Sequence, residues 1–235
     1  VIPTLHLVTD DRVLEASDFL ERVRRVADCA TVTGGPDGAA DAEGADPAGW
    51  ADVALHLRGP GLSGRRLWEL ARELKELLEG SGIRLVVNDR VDLALVVGAF
   101  GVHLAGRSLP AAGARQLLGS GPLLGRSVHG EGEVAGLAKI SGTLDSLDYL
   151  MAGTIYSTPS HPGVPGAGLN GIRRVRKAAP ALPVVAIGGV TPGRVPELLK
   201  AGAHGVAVLR AVWDAPDPGS AAGAFRQALG EPGGR

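Results

Sequence analysis

The sequence predicts a (β/α)8 TIM barrel, and three observations predict it. Short aliphatic runs alternate with helical patterns, giving eight strand-then-helix units in 235 residues. The runs are apolar on both faces, as strands of a parallel sheet covered on both sides must be. No GxGxxG follows the first run and no GxxxxGK[ST] occurs anywhere, which counts against dinucleotide and P-loop folds. Eight units at this length fit a closed barrel better than an open, doubly wound sheet.

The elements follow in order. Residues 5–9 (LHLVT) form the first strand, and residues 18–27 carry helical spacing at Phe19, Val23 and Val26. Residues 53–58 (VALHLR) precede a helix over 65–78, with Leu67, Leu70, Leu74, Leu77 and Leu78 on one face. Residues 84–88 (RLVVN) lead into a helix over 91–97, 101–104 (GVHL) into 111–118, and 123–127 into 131–138. Residues 148–152 precede a helix over 171–179, 184–187 (VVAI) precede 195–201, and 205–209 precede a last helix near 221–229. Residues 33–48 (TGGPDGAADAEGADPA) break the rhythm: a Gly/Ala/Asp-rich insertion with almost nothing to bury reads as a flexible loop of one domain spanning 1–235.

Composition bounds the partners. With 24 Lys+Arg against 25 Asp+Glu the formal charge is −1, which gives no electrostatic reason to expect nucleic acid or an anionic membrane. A single cysteine, Cys29, rules out an internal disulfide framework and a multi-cysteine zinc site, and points to a reducing compartment. No apolar run reaches the length of a membrane span, and the start Val1-Ile2-Pro3 shows no basic signal region, so a cytoplasmic location is expected.

Barrel chemistry stands at the C-terminal ends of strands. That rule nominates His6, Thr9, Asp10, His56, Arg58, Asn88, Asp89, His103, Ser127, His129, Thr158, Ser160 and His161. Gly188-Gly189 after the seventh strand and Val208-Leu209 after the eighth sit where backbone N–H groups can cradle a phosphate. His129, two residues after Ser127, can take and return a proton near neutral pH, or simply hydrogen-bond a loop. Arg58 either grips an anion or braces its loop. Nothing spaces metal ligands: Asp10, Asp11, Asp89 and Asp92 read equally as helix-start acids, and His6 and His103 read as core histidines. Trp213 reads either as core or as part of a face on which copies of the chain pair into a homo-oligomer.

Taken together, residues 6–11 (HLVTDD), 55–63 (LHLRGPGLS), 87–97 (VNDRVDLALVV), 101–104 (GVHL), 125–129 (GRSVH), 186–190 (AIGGV) and 201–208 (AGAHGVAV) resemble the thiamine-phosphate synthase/TenI superfamily over almost the whole chain. The resemblance implies a (β/α)8 barrel that handles a thiazole phosphate. In the synthase branch, a pyrimidine diphosphate is joined to the thiazole phosphate, with Mg²⁺ neutralising the leaving diphosphate. Against that branch's pattern, Phe100 replaces an acid implied to bind metal, Pro60 replaces a lysine after the second strand, and His161 replaces a lysine after the sixth.

These departures favour the thiazole tautomerase branch, which moves one proton and uses no metal or other cofactor. The resemblance then implies His129 as the acid/base. It also implies Arg58, Asn88, Ser127, Gly168, Gly188, Gly189, Val208 and Leu209 as the residues holding the thiazole phosphate. The alternatives are a synthase with a rebuilt diphosphate and Mg²⁺ site, in which His161 and Arg107 replace the missing cations, and a phosphate-binding regulator without chemistry. An unrelated phosphate-binding barrel isomerase fits the ordered motifs poorly.

Overall fold

A computed structural model describes residues 1–32, 50, 52–106, 108–158, 163 and 165–230; the Gly/Ala/Asp-rich insertion lies outside the described residues. Eight parallel strands close into a barrel in chain order. They are β1 (Leu5–Val8), β2 (Val53–Leu57), β3 (Arg84–Asn88), β4 (Gly101–Leu104), β5 (Leu123–Val128), β6 (Tyr149–Ala152), β7 (Val184–Ile187) and β8 (Gly205–Val208). β1 closes the ring on β8 through the register Leu5↔Val206, His6↔Ala207, Leu7↔Val208.

The helices between them are α1 (Asp11–Leu14), α2 (Phe19–Val32), α3 (Gly64–Leu77), α4 (Val91–Val97), α5 (Ala111–Leu118), α6 (Glu131–Ala138), α7 (Gly168–Ala178), α8 (Val195–Lys200), α9 (Arg210–Trp213) and α10 (Pro218–Leu229). The short α1 and α9 are additions to the sequence reading. Each is one turn, too short for a periodic pattern to reveal. Asp10 caps α1 by accepting from Val13 N at 2.9 Å, as an acid at a helix start should.

The double-sided burial of the strands has a simple cause. Leu5, Leu7, Leu55, Leu85, Val102, Leu124, Leu150 and Val206 point outward and join the helices in the main core. Val8, Tyr149, Met151, Val185 and Ala207 point inward and form a second, smaller cluster inside the barrel. On the helix side, Leu67, Leu70, Ala71 and Leu74 of α3 are buried; each fully buried leucine contributes about 1.5–3 kcal/mol. Trp213 is core: it packs edge-on against Phe19 and donates from Nε1 to Val8 O at 2.8 Å. Among the described residues no helix is long and apolar enough to cross a membrane.

The barrel interior holds an unusual layer. His6 of β1, His56 of β2, His103 of β4 and Tyr149 of β6 form a ring of neighbours with centroid separations of 5.1 to 5.6 Å. All four are at most 1% exposed. Tyr149 reaches across the space in front of β5, which is why Gly125 stands there: a Cβ on it would lie 2.1 Å from Tyr149 Cζ.

Candidate active site

The strand ends carry a mouth built upward from that layer. His103 Nδ1 meets Tyr149 Oη at 3.0 Å and its Nε2 meets Ser127 Oγ at 2.8 Å. His56 Nδ1 meets the Asn88 side-chain amide at 3.1 Å, and His56 Nε2 meets His6 Nδ1 at 2.8 Å. Ser127 and Asn88 are therefore the upper ends of two hydrogen-bonded columns rising through the barrel. Burial drives the three imidazoles toward their neutral forms: His56 is lowered to about 4, and His6 and His103 well below the usual histidine value. His103 also feels the positive charges of Arg58 and Arg126, which places both guanidinium groups within electrostatic reach of the inner layer.

Arg58 follows β2. Its backbone is pinned by Thr9, whose hydroxyl accepts from Arg58 N at 2.9 Å and donates to His56 O at 2.9 Å. Asp89 follows β3 in the left-handed region, φ 64°, where a side chain other than glycine needs support. Its Oδ1 receives that support from Ala105 N at 2.8 Å and from the hydroxyl of Ser108. Asp92 is engaged differently. Two hydrogen bonds from the Arg90 guanidinium, at 2.8 and 2.6 Å, pull its carboxyl down to about 2, so it serves a surface ion pair.

On the opposite side, Gly188 and Gly189 have φ of 103° and 64°. A Cβ on Gly188 would lie 2.7 Å from Thr154 Cγ2, and one on Gly189 2.8 Å from Ser157 O. Both conformation and space therefore demand glycine at the turn out of β7. The β6–α7 segment folds over this turn: Tyr156 N donates to Gly188 O at 3.0 Å, and Arg194 donates to Gly189 O at 2.6 Å while stacking on the Tyr156 ring. Gly168 lies below, at the start of α7, with its N–H bonded to Ile155 O at 2.9 Å. Val208 ends β8 and Leu209 precedes α9, so the last two strand ends stand side by side.

His129 lies just past β5, on the outer rim. Its side chain is 75% exposed, and both its N–H and Nδ1 face Glu133 Oε2, at 2.9 and 3.2 Å. Thr158 is the last described residue before the segment holding Ser160 and His161, which lie outside the described residues, as does Arg107. Sequence reasoning did not single out Arg126: on β5 it takes the outward register, a core position, and its guanidinium is buried there. Its Nη2 reaches Gly106 O at 3.3 Å, and its Nε has no hydrogen-bond partner among the described residues. The charged residue inside an otherwise aliphatic strand was the available signal.

Residues 38–212 match the family model described as thiamine monophosphate synthase. The chain belongs to the thiamine-phosphate synthase family. A putative thiamine-phosphate synthase of Geobacter sulfurreducens is 42% identical over 185 residues, covering 79% of this chain and 84% of the relative. A thiamine-phosphate synthase of Xanthobacter autotrophicus is 40% identical over 226 residues, covering 96% of this chain and 95% of the relative. Among solved structures, thiamine phosphate pyrophosphorylase from Pyrococcus furiosus superposes with a TM-score of 0.71 at 28% identity, covering 96% of this chain and 95% of that one.

These relatives overturn the tautomerase expectation, and with it the isomerase assignment, since they carry the synthase name. The geometry shows why one argument for the tautomerase branch fails in this family member. Phe100 precedes β4, its N–H bonded to Leu85 O at 2.9 Å and its carbonyl to Leu123 N at 3.0 Å. That is the end of the barrel where strands begin, opposite the mouth. A carboxylate at position 100 would stand roughly 13 Å, four strand residues, below the strand ends. Its replacement by phenylalanine therefore removes no ligand from the mouth. Pro60 does lie in the loop after β2, exposed, and remains a departure from the pattern.

Proposed function

We propose that this chain is a thiamine-phosphate synthase, joining a thiazole phosphate to hydroxymethylpyrimidine diphosphate with release of diphosphate. The observation that carries the reading is the synthase name shared by relatives 40–42% identical to this chain. The mouth suits two anionic substrates. The glycine turn of Gly188 and Gly189, with Val208 and Leu209 beside it, supplies backbone N–H groups for the thiazole phosphate. Arg58, in the loop after β2, supplies positive charge toward the other side of the mouth, where a diphosphate is to be held and released.

Among the described residues no group of three or more His, Cys, Asp or Glu could cage a metal ion. In this reading Mg²⁺ is carried mainly by substrate phosphates, which needs only one or two carboxylates from the protein. Asp89 is the carboxylate we assign to it, and its hydrogen bonds to Ala105 N and Ser108 at the strand end support that assignment. When bound, Mg²⁺ supplies neutralising charge to the diphosphate that leaves. Arg58 orients the same diphosphate, while Ser127 and Asn88, fixed from below by His103 and His56, hold the substrates in register. His129 has no acid/base task in this reading, because the coupling requires no proton shuttle at the thiazole carbon.

Complementation tests the proposal. The gene is expected to restore thiamine-independent growth to a bacterium lacking its own synthase; failure to do so from a well-expressed, folded chain would count against it.

A further inference from the structure

The hydrogen bonds beneath Asn88 fix which way its side-chain amide faces. His6 Nε2 lies 3.0 Å from the carbonyl oxygen of Pro3. A carbonyl only accepts, so His6 Nε2 carries a hydrogen. His6 Nδ1 and His56 Nε2 are 2.8 Å apart, and one hydrogen lies between them. The remaining nitrogen of the pair, His56 Nδ1, faces the Asn88 amide at 3.1 Å.

Two arrangements satisfy these contacts, and they differ by one proton. With Asn88 Oδ1 toward His56, as placed, His56 Nδ1 must donate. The two rings then hold three hydrogens, and one ring is an imidazolium. With the amide turned by 180°, Asn88 Nδ2 donates to His56 Nδ1, His56 Nε2 donates to His6 Nδ1, and His6 Nε2 donates to Pro3 O. Both rings are then neutral, and no other neutral assignment works.

The surroundings choose between them. His6 and His56 are fully buried, and no Asp or Glu among the described residues bonds either ring. The charged or titratable groups facing them are His103, Tyr149 and His204, none of them an anion at neutral pH. An imidazolium there would be a buried cation without a counter-ion, which costs several kcal/mol.

We propose that His6 and His56 are positioning residues whose neutral chain turns the Asn88 amide so that Oδ1 faces the barrel mouth. Asn88 then accepts a hydrogen bond from an N–H or O–H of the bound substrate and does not donate to a phosphate oxygen. The mouth gains a polarity: backbone donors on the β7–β8 side, a carbonyl acceptor at the end of β3. That Asn88 meets substrate rests on the synthase reading; the direction of the chain does not.

Histidine side-chain nitrogen NMR on the full, unliganded chain at pH 7 tests this, and it requires no activity. The expected result is that His6 and His56 are each protonated at Nε2 and bare at Nδ1. Protonation of His56 at Nδ1 would overturn the proposal. An Asn88→Asp variant provides the second arm. A carboxylate cannot donate, so the pair must take up a proton, and His56 Nδ1 is expected to become protonated. A variant whose new carboxyl is ionised, by its carboxyl carbon shift, while the imidazoles keep the wild-type pattern would also overturn the proposal. Loss of the synthase reading through failed complementation would leave both NMR results standing.

Discussion

Phe100 lies beneath the guanidinium of Arg84, 5.2 Å from ring centroid to Cζ, at the end of the barrel where β3 and β4 begin. The pair is a piece of structural packing on the stability face of the fold. A carboxylate at this position could not reach the mouth, so the phenylalanine leaves the coupling reaction open. Asp89, the carboxylate proposed to meet Mg²⁺, lies at the other end of β3, where Ala105 N and Ser108 hold it.

Asp89→Asn tests that assignment. Asparagine tolerates the left-handed backbone and keeps an oxygen for Ala105 N and Ser108, but carries no charge. Coupling activity is expected to fall by about 100-fold, the scale of losing one preorganised charged group, with the melting temperature unchanged. Steady-state rates across a Mg²⁺ titration, together with calorimetry, check both halves.

Gly189→Ala tests the phosphate turn. The new Cβ would meet Ser157 O at 2.8 Å in a backbone conformation unfavourable to alanine. We expect a loss of about 1–2 kcal/mol in stability and about a tenfold rise in KM for the thiazole phosphate. Urea unfolding and initial rates at saturating pyrimidine diphosphate separate the two effects.

Gly125→Ala tests the inner layer. Its Cβ would overlap the Tyr149 ring, so Tyr149 must move and its contact with His103 must break. Overpacking of this kind costs about 1–3 kcal/mol, with the lost buried hydrogen bond in addition. Thermal unfolding is expected to show a drop of several degrees; an unchanged melting temperature would contradict the layer as described.

The histidine layer also sets an acid limit. His56 titrates near 4 in the folded chain against 6.5 for a free histidine, because burial disfavours its charged form. The unfolded chain therefore binds the extra proton first. The stabilisation is complete above pH 6.5 and is lost as pH falls from 6.5 toward 4, by about 3 kcal/mol for this one group. His6 and His103 shift in the same direction. Denaturant midpoints between pH 7 and 4 should show the decline, and His56→Leu should make it shallower, leaving the part due to His6 and His103.

Much of this was legible in the sequence. The spans GVHL, RLVVN and VVAI coincide with β4, β3 and β7 because apolar runs bounded by Gly, Asn or Pro leave little freedom in where a buried strand ends. The glycine turn after β7 was equally readable, since adjacent glycines at a strand end mark a backbone no other residue adopts easily. The same strand order puts Phe100 before β4 and Asp89 after β3, at opposite ends of a parallel barrel, although the resemblance implied a metal ligand at position 100. What was not legible was which side chains share the interior. His6 and His103 read as separate core histidines and His56 as a strand-end candidate; their union with Tyr149 depends on strands β1, β2, β4 and β6 facing one interior. The outward-facing Arg126 had one signal, a charge inside an otherwise aliphatic strand, which says nothing of the side it faces.

The central claim is that this mouth joins two phosphorylated substrates. The most direct measurement incubates the purified chain with thiazole phosphate, hydroxymethylpyrimidine diphosphate and Mg²⁺, and quantifies thiamine phosphate and diphosphate together. The account predicts that the two products appear in equal amounts, that both vanish when either substrate is omitted, and that EDTA stops their formation. Folded protein that yields neither product, or releases diphosphate without thiamine phosphate, would contradict it.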